Sequence, residues 1–297
     1  MKKIILSSAL LLVAISSNAA VKSTSKVRSA GKNRTRAEII PTKPSASNSS
    51  VSTAANTSTT STSSSPVIRA SYTGIMAGPI LDGETNKTNN ISVSNRIAAK
   101  IDFHENLDAG LQARLNTAFT PNGVVASNEN WRLFSNIKKI YNNGLIDFNL
   151  TPRIMLPTSN SAHNQKLVFG PELIATLNFN PKNTRFSFDY KAQTQKNFYS
   201  DATASAKSMN FYLLHNFEAN YTLTSTTELN LGIYPEYMST NSAAFTNTSN
   251  ELDFGLSWSF AKGWSLNPYL ATELNGLDSS NPGKNMQANL ILSGAFL

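Results

Sequence analysis

His104, His163 and His215 are the only histidines, and they are the first residues to test for chemistry. A Ser–His–acid arrangement needs the base within hydrogen-bond reach of a nucleophile and oriented by a third group. Asn216 and Glu218 follow His215 closely, but on an alternating strand they fall on the opposite face. The chain has no cysteine, and three isolated histidines do not reproduce a metal-ligand spacing. No glycine-rich phosphate loop is present. The sequence therefore predicts neither an enzyme nor a cofactor, and His215 reads as an outward-facing histidine of an aromatic belt.

Charged side chains are the remaining chemistry. Arg96, Lys100, Arg114, Arg132, Lys138, Arg153, Arg185 and Lys191 lie in the first part of the patterned region, with Asp102, Asp108, Asp147, Glu172 and Asp189 among them. Glu218, Glu228, Glu236, Glu251, Asp253 and Glu273 lie in the last part. On one face of a closed sheet, this order places a largely basic wall opposite an acidic one. Such walls either select polar solutes through rings of charge or pair across a narrow lumen and fill it. The sequence leaves both open.

The elements that position these charges alternate with period two. Ile91, Val93, Ile97, Ala99, Ile101 and Phe103 interleave with Ser92, Ser94, Arg96, Lys100 and Asp102. Leu107, Ala109, Leu111, Ala113, Leu115 and Phe119 interleave with Asp108, Gln112, Arg114 and Asn116. Similar patterns recur to the end of the chain, which predicts strands with one apolar face. About twelve are expected, at 68–78, 91–103, 107–119, 131–141, 145–156, 166–179, 184–194, 209–221, 227–238, 251–260, 264–275 and 286–297. Pro152, Pro171, Pro235 and Pro268 fall inside them, and each removes a ladder donor. Ten or fourteen strands are therefore alternatives. Connections run short, long, short, long. Phe103, Tyr141, Phe179, Phe186, Tyr221, Phe260, Trp264 and Phe296 sit beside the short turns or in the last strand, which predicts an aromatic girdle at one end. The long connections, such as Thr158–Ser161 and Thr246–Asn250, are rich in Asn, Ser and Thr and read as solvated loops.

Ahead of the strands, Lys2 and Lys3 precede the apolar run Ile4–Ile15 and a small-residue site at Ser17–Ala19. Residues 1–19 read as a signal peptide. Residues 20–66 lack a hydrophobic period. Lys22, Lys26, Arg28, Lys32, Arg34, Arg36 and Lys43 face Glu38 alone, and a Ser/Thr-rich tract follows. Such a segment cannot bury enough apolar surface to order itself, so a disordered tail is expected. With Lys2 and Lys3, the tail accounts for the whole formal charge of +8. From Val67 onward bases and acids balance, which argues against nucleic acid as a partner. The tail reads first as a solvated linker; contact with anionic cell-wall polymer, lipid headgroups or the chain's own lumen is the alternative.

The strand–turn pattern, the signal peptide and the last strand, with Met286, Ala288, Leu290, Leu292 and Phe296 on one face, together resemble Gram-negative outer-membrane β-barrel proteins. Within that class the chain is similar to small twelve-stranded channels. The resemblance implies an all-β, antiparallel up-and-down barrel over 67–297, with lipid outside. It also implies passive diffusion of small hydrophilic or charged solutes through a porin-like channel in the bacterial outer membrane. A closed barrel acting as an anchor or receptor through its tail and loops is the alternative.

Overall fold

The computed structural model describes residues 67–79, 91–120, 123–201, 205–274 and 286–296. The expected signal peptide and tail lie outside the described residues. The strands are β1 (Val67–Pro79), β2 (Ile91–His104), β3 (Leu107–Thr120), β4 (Gly123–Asn128), β5 (Trp131–Asn142), β6 (Ile146–Leu156) and β7 (Leu167–Phe179). They continue with β8 (Phe186–Lys196), β9 (Phe198–Tyr199), β10 (Met209–Thr222), β11 (Thr227–Thr240), β12 (Thr246–Ala261), β13 (Trp264–Glu273) and β14 (Met286–Phe296). One short helix, α1 (Asn160–Asn164), joins β6 to β7.

Apart from β4 and β9, each strand pairs antiparallel with its neighbours in sequence. β1 pairs with both β2 and β14, and β2 pairs with β3, so the sheet closes into a twelve-stranded barrel. Closure removes the sheet edges that an open sheet would leave unpaired. β4 and β5 succeed each other along the same edge of β3: β4 pairs with Leu115–Thr120 and β5 with Leu107–Gln112.

Alternation fixes which face is in. Along β10, Tyr212, Leu214, Asn216 and Asn220 are buried, whereas Leu213, His215 and Phe217 point the other way. The outward rows carry exposed Ile97, Leu115, Ile154, Leu231, Phe254 and Leu270. An apolar exterior around a buried, largely polar interior inverts the soluble pattern and suits a lipid surround. No helix of the described residues is long and apolar enough to cross a membrane; a barrel crosses with strands, whose backbone groups all pair within the closed sheet.

The short turns gather at one end, together with Val67 and Phe296. In the turn between β5 and β6, Gly144 has φ of 77°, and the Asn143 side chain accepts from the Leu145 and Ile146 amides at 3.0 and 2.8 Å. This is the turn chemistry of an Asn-Gly pair. The girdle aromatics meet at the same end: Phe186 packs on Tyr221 with ring centroids 4.8 Å apart, and Trp264 meets Phe296 edge-on at 5.4 Å.

Two expected loops contain structure. Thr246–Asn250 begins β12 rather than remaining a loop. Thr158–Ser161 leads into α1, where the Ser159 hydroxyl caps the helix by accepting from the Ala162 amide at 3.1 Å. The four prolines sit within the ladders, with Pro152 opposite Leu173, Pro171 opposite Ile154, Pro268 opposite Leu290 and Pro235 opposite Asn250. Only Pro235 lies next to a register shift, at Glu236/Tyr237. An antiparallel residue directs its N–H and C=O to the same neighbour, so each proline costs one bond on one side and leaves the other ladder intact.

Candidate functional site: the barrel interior

The inward rows of β2, β3 and β5–β8 concentrate charge. Asp108 is fully buried and receives Lys138 Nζ at 2.6 Å and Lys100 Nζ at 3.0 Å, with the Asn136 amide as a third donor. Glu172 is also buried, and holds Arg132 Nε at 2.9 Å and Arg153 Nη1 at 3.5 Å. Arg69 pairs with Asp102 at 2.7 Å. Arg96 and Arg114 are both buried and face each other in register, and Arg114 donates to Gln112 at 2.8 Å. Lys191 is buried on β8 between Thr176 and Asn216. Arg185 departs from the expected basic row: it precedes β8 at the short-turn end, exposed, with its backbone carbonyl accepting from the Thr222 amide.

The acids of the last strands form a second region. Asp189, Glu218, Gly232 and Asp253 follow one another in register across β8, β10, β11 and β12. Glu251 faces Glu273 directly. Glu218 accepts from the Tyr234 hydroxyl at 3.3 Å; Glu236 accepts from Thr248 at 3.0 Å and from Tyr212 at 3.5 Å. Glu228 sits lower, near the short turns, where Thr222 donates to it at 3.3 Å.

Sequence reasoning missed the apolar part of the interior. Ile75, Met155, Ile174, Leu214 and Ile291 occupy inward positions and are buried, Ile291 to 1% exposure and Leu214 to 2%. Ile75 and Ile291 are register partners. An inward residue in a wide water-filled pore would stay wet, so at these levels the interior is packed. A signal existed in runs where apolar residues fill three successive positions: Leu290-Ile291-Leu292, Leu173-Ile174-Ala175 and Ile154-Met155-Leu156. The middle residue of each breaks the alternation and faces inward.

The histidines stay apart. His104 accepts from the Asn106 amide in a short turn, His163 lies in α1, and His215 pairs with Tyr190 on the outside. His215 stands mid-strand, six residues from Tyr221, and not at the girdle end where its type suggested. Among the described residues, no group of three or more His, Cys, Asp or Glu is placed to hold a metal ion.

No family model and no curated protein sequence matches the chain. Among solved structures, an outer-membrane channel from Pseudomonas putida F1 superposes with a TM-score of 0.54 at 12% identity, over 81% of this chain and 100% of that one. This chain has that channel's fold. Salmonella typhi OmpF aligns at a TM-score of 0.41 and 8% identity, over 78% of this chain and 97% of its own. The KdgM porin aligns at 0.41 and 12%, over 78% and 99%.

Proposed function

We propose that the protein is a bacterial outer-membrane channel for small hydrophilic or charged solutes, moving passively through an interior with a basic and an acidic region. The observation that carries this reading is buried charge on the inward rows: Arg96, Arg114, Arg132, Lys191, Asp108, Glu172 and Asp253 are all buried inside a closed barrel. Ionisable groups at membrane depth are costly and mark pathways for ions or polar solutes. Lipid is the expected outer partner, and the short turns then face the periplasm. The basic segment before the barrel contacts cell-wall polymer or the acidic half of its own lumen.

One observation favours a second reading, a closed barrel that anchors its tail and loops: the packed inward cluster that includes Ile75, Ile291 and Leu214. Single-channel recording in a planar bilayer separates the two. A channel gives steady conductance steps, and Arg114→Ala with Arg132→Ala lowers its anion preference. Silence from correctly folded protein supports the anchor.

A further inference from the structure

The outward face of β8, β10 and β11 differs from the rest of the exterior. Phe245 stacks on Tyr237 at 5.7 Å and packs on Phe211 at 5.6 Å; Tyr237 meets His215 edge-on at 6.3 Å; His215 stacks on Tyr190 at 6.0 Å; Tyr190 packs on Phe217 at 4.8 Å. These six rings form one continuous seam. On β2 and β3, across the barrel, the corresponding outward positions hold Ile97, Ala99, Leu111 and Ala113.

Depth makes the seam unusual. Phe211 near the long-loop end and Tyr221 near the short-turn end bound an outward stretch of β10. At the usual rise and barrel tilt that stretch is about 25 Å tall, the height of the apolar band of such barrels. His215 lies about 10 Å below Phe211, deep in the hydrocarbon zone. Its Nδ1 is 2.8 Å from the Tyr190 hydroxyl. Whichever group donates, Nε2 is left with no hydrogen-bond partner among the described residues. The Tyr237 hydroxyl likewise has none among them. Acyl chains offer neither donor nor acceptor, and an unpaired polar group in hydrocarbon is costly.

We infer that this seam is a membrane-embedded interface with a second copy of the chain, resting on the reading of the exterior as lipid-facing. Only protein supplies hydrogen-bonding groups at this depth, and the patch is complementary to itself. A two-fold apposition sets each His215 Nε2 against the partner's Tyr237 hydroxyl. That hydroxyl both donates and accepts, so it suits either tautomer. Rings that stack within one copy then stack between copies.

The chain's lack of cysteine makes the test clean. Leu213→Cys places a thiol in the outward row of the seam, and Ile97→Cys places one on the far side. Each full-length variant is inserted into phosphatidylcholine vesicles at low protein density and oxidised. Leu213→Cys is expected to give a disulfide-linked dimer at several times the yield of Ile97→Cys. Adding His215→Phe or Tyr237→Phe should weaken the dimer about tenfold, the effect of losing two membrane-buried hydrogen bonds. Equal yields at both positions, or an unchanged dimer in His215→Phe, overturn the interface alone. A foreign adduct at Leu213→Cys in native membranes, in place of the dimer, also overturns it. Failure of folded protein to insert into vesicles overturns both the interface and the lipid-facing exterior.

Discussion

Glu172 on β7 balances two guanidinium groups, that of Arg153 on the adjacent β6 and that of Arg132 on β5 beyond it. Removing one member of a buried ionic group leaves uncompensated charge, typically at a cost of several kcal/mol. Glu172→Gln keeps the side-chain shape and removes only the charge. It should lower folding stability by about 3 kcal/mol, read as a lower midpoint in urea-induced unfolding from micelles. If the channel is open, the same variant shifts its reversal potential toward anions. The charged positions were legible in the sequence because a charge in a lipid-facing strand has one tolerable direction, inward. Inward Ile291 and Leu214 were not, since an apolar side chain is tolerated on either face of a barrel and only the broken alternation marks it. Asp108 and Glu172 appeared as scattered acids in a basic half. Their role as two-cation hubs depends on pairing across strands, which spacing along the chain does not encode.

The strands followed from period two, and the count of twelve survived the prolines because each affects only one of two ladders. The loops were less legible. β4 (Gly-Val-Val-Ala-Ser-Asn) and β9 (Phe-Tyr) are too short to show a period, while α1 and the start of β12 are rich in Asn, Ser and Thr that also suit solvated turns; long-range hydrogen bonds decide their structure. Tyr199 on β9 illustrates this. Its hydroxyl donates to the Met209 carbonyl at 2.5 Å and accepts from Asn197, while Leu167, Met155 and Ala162 form the apolar cluster against which it packs. Burial pushes this phenol above its ordinary 10.0, with hydrogen bonds from Asn197 and Ser208 opposing the rise. The folded value exceeds the unfolded one, so the stabilisation is complete below about 10 and is lost as pH rises through the folded value. The β9 segment should therefore become cleavable by protease only at strongly alkaline pH. Tyr199→Phe, which cannot ionise but loses the donated bond, should show raised cleavage at neutral pH and no alkaline step.

At the scale of the whole molecule, the charge is divided between two parts of the chain. The barrel sequence from Val67 onward is balanced, and the net charge of +8 belongs to the residues before it. Inside the barrel the balance is uneven: Asp108 and Glu172 are each held by two cations of the basic half, while Glu218, Glu236, Glu251, Asp253 and Glu273 gather in the other half. Val67 and Phe296, the outer residues of β1 and β14, lie at the short-turn end of the barrel. If, as proposed, the basic segment before the barrel meets the acidic side of the lumen, it acts as a tethered counter-ion at high effective concentration. Deleting residues 20–66 should raise conductance and cation preference at low salt. The difference from the full chain should shrink as the screening length falls from about 30 Å at 0.01 M salt to about 3 Å at 1 M. A deletion that changes conductance equally at every salt concentration points to steric blocking without charge recognition. One that changes nothing assigns the segment to a partner outside the barrel, with anionic cell-wall polymer next to be tested by co-sedimentation.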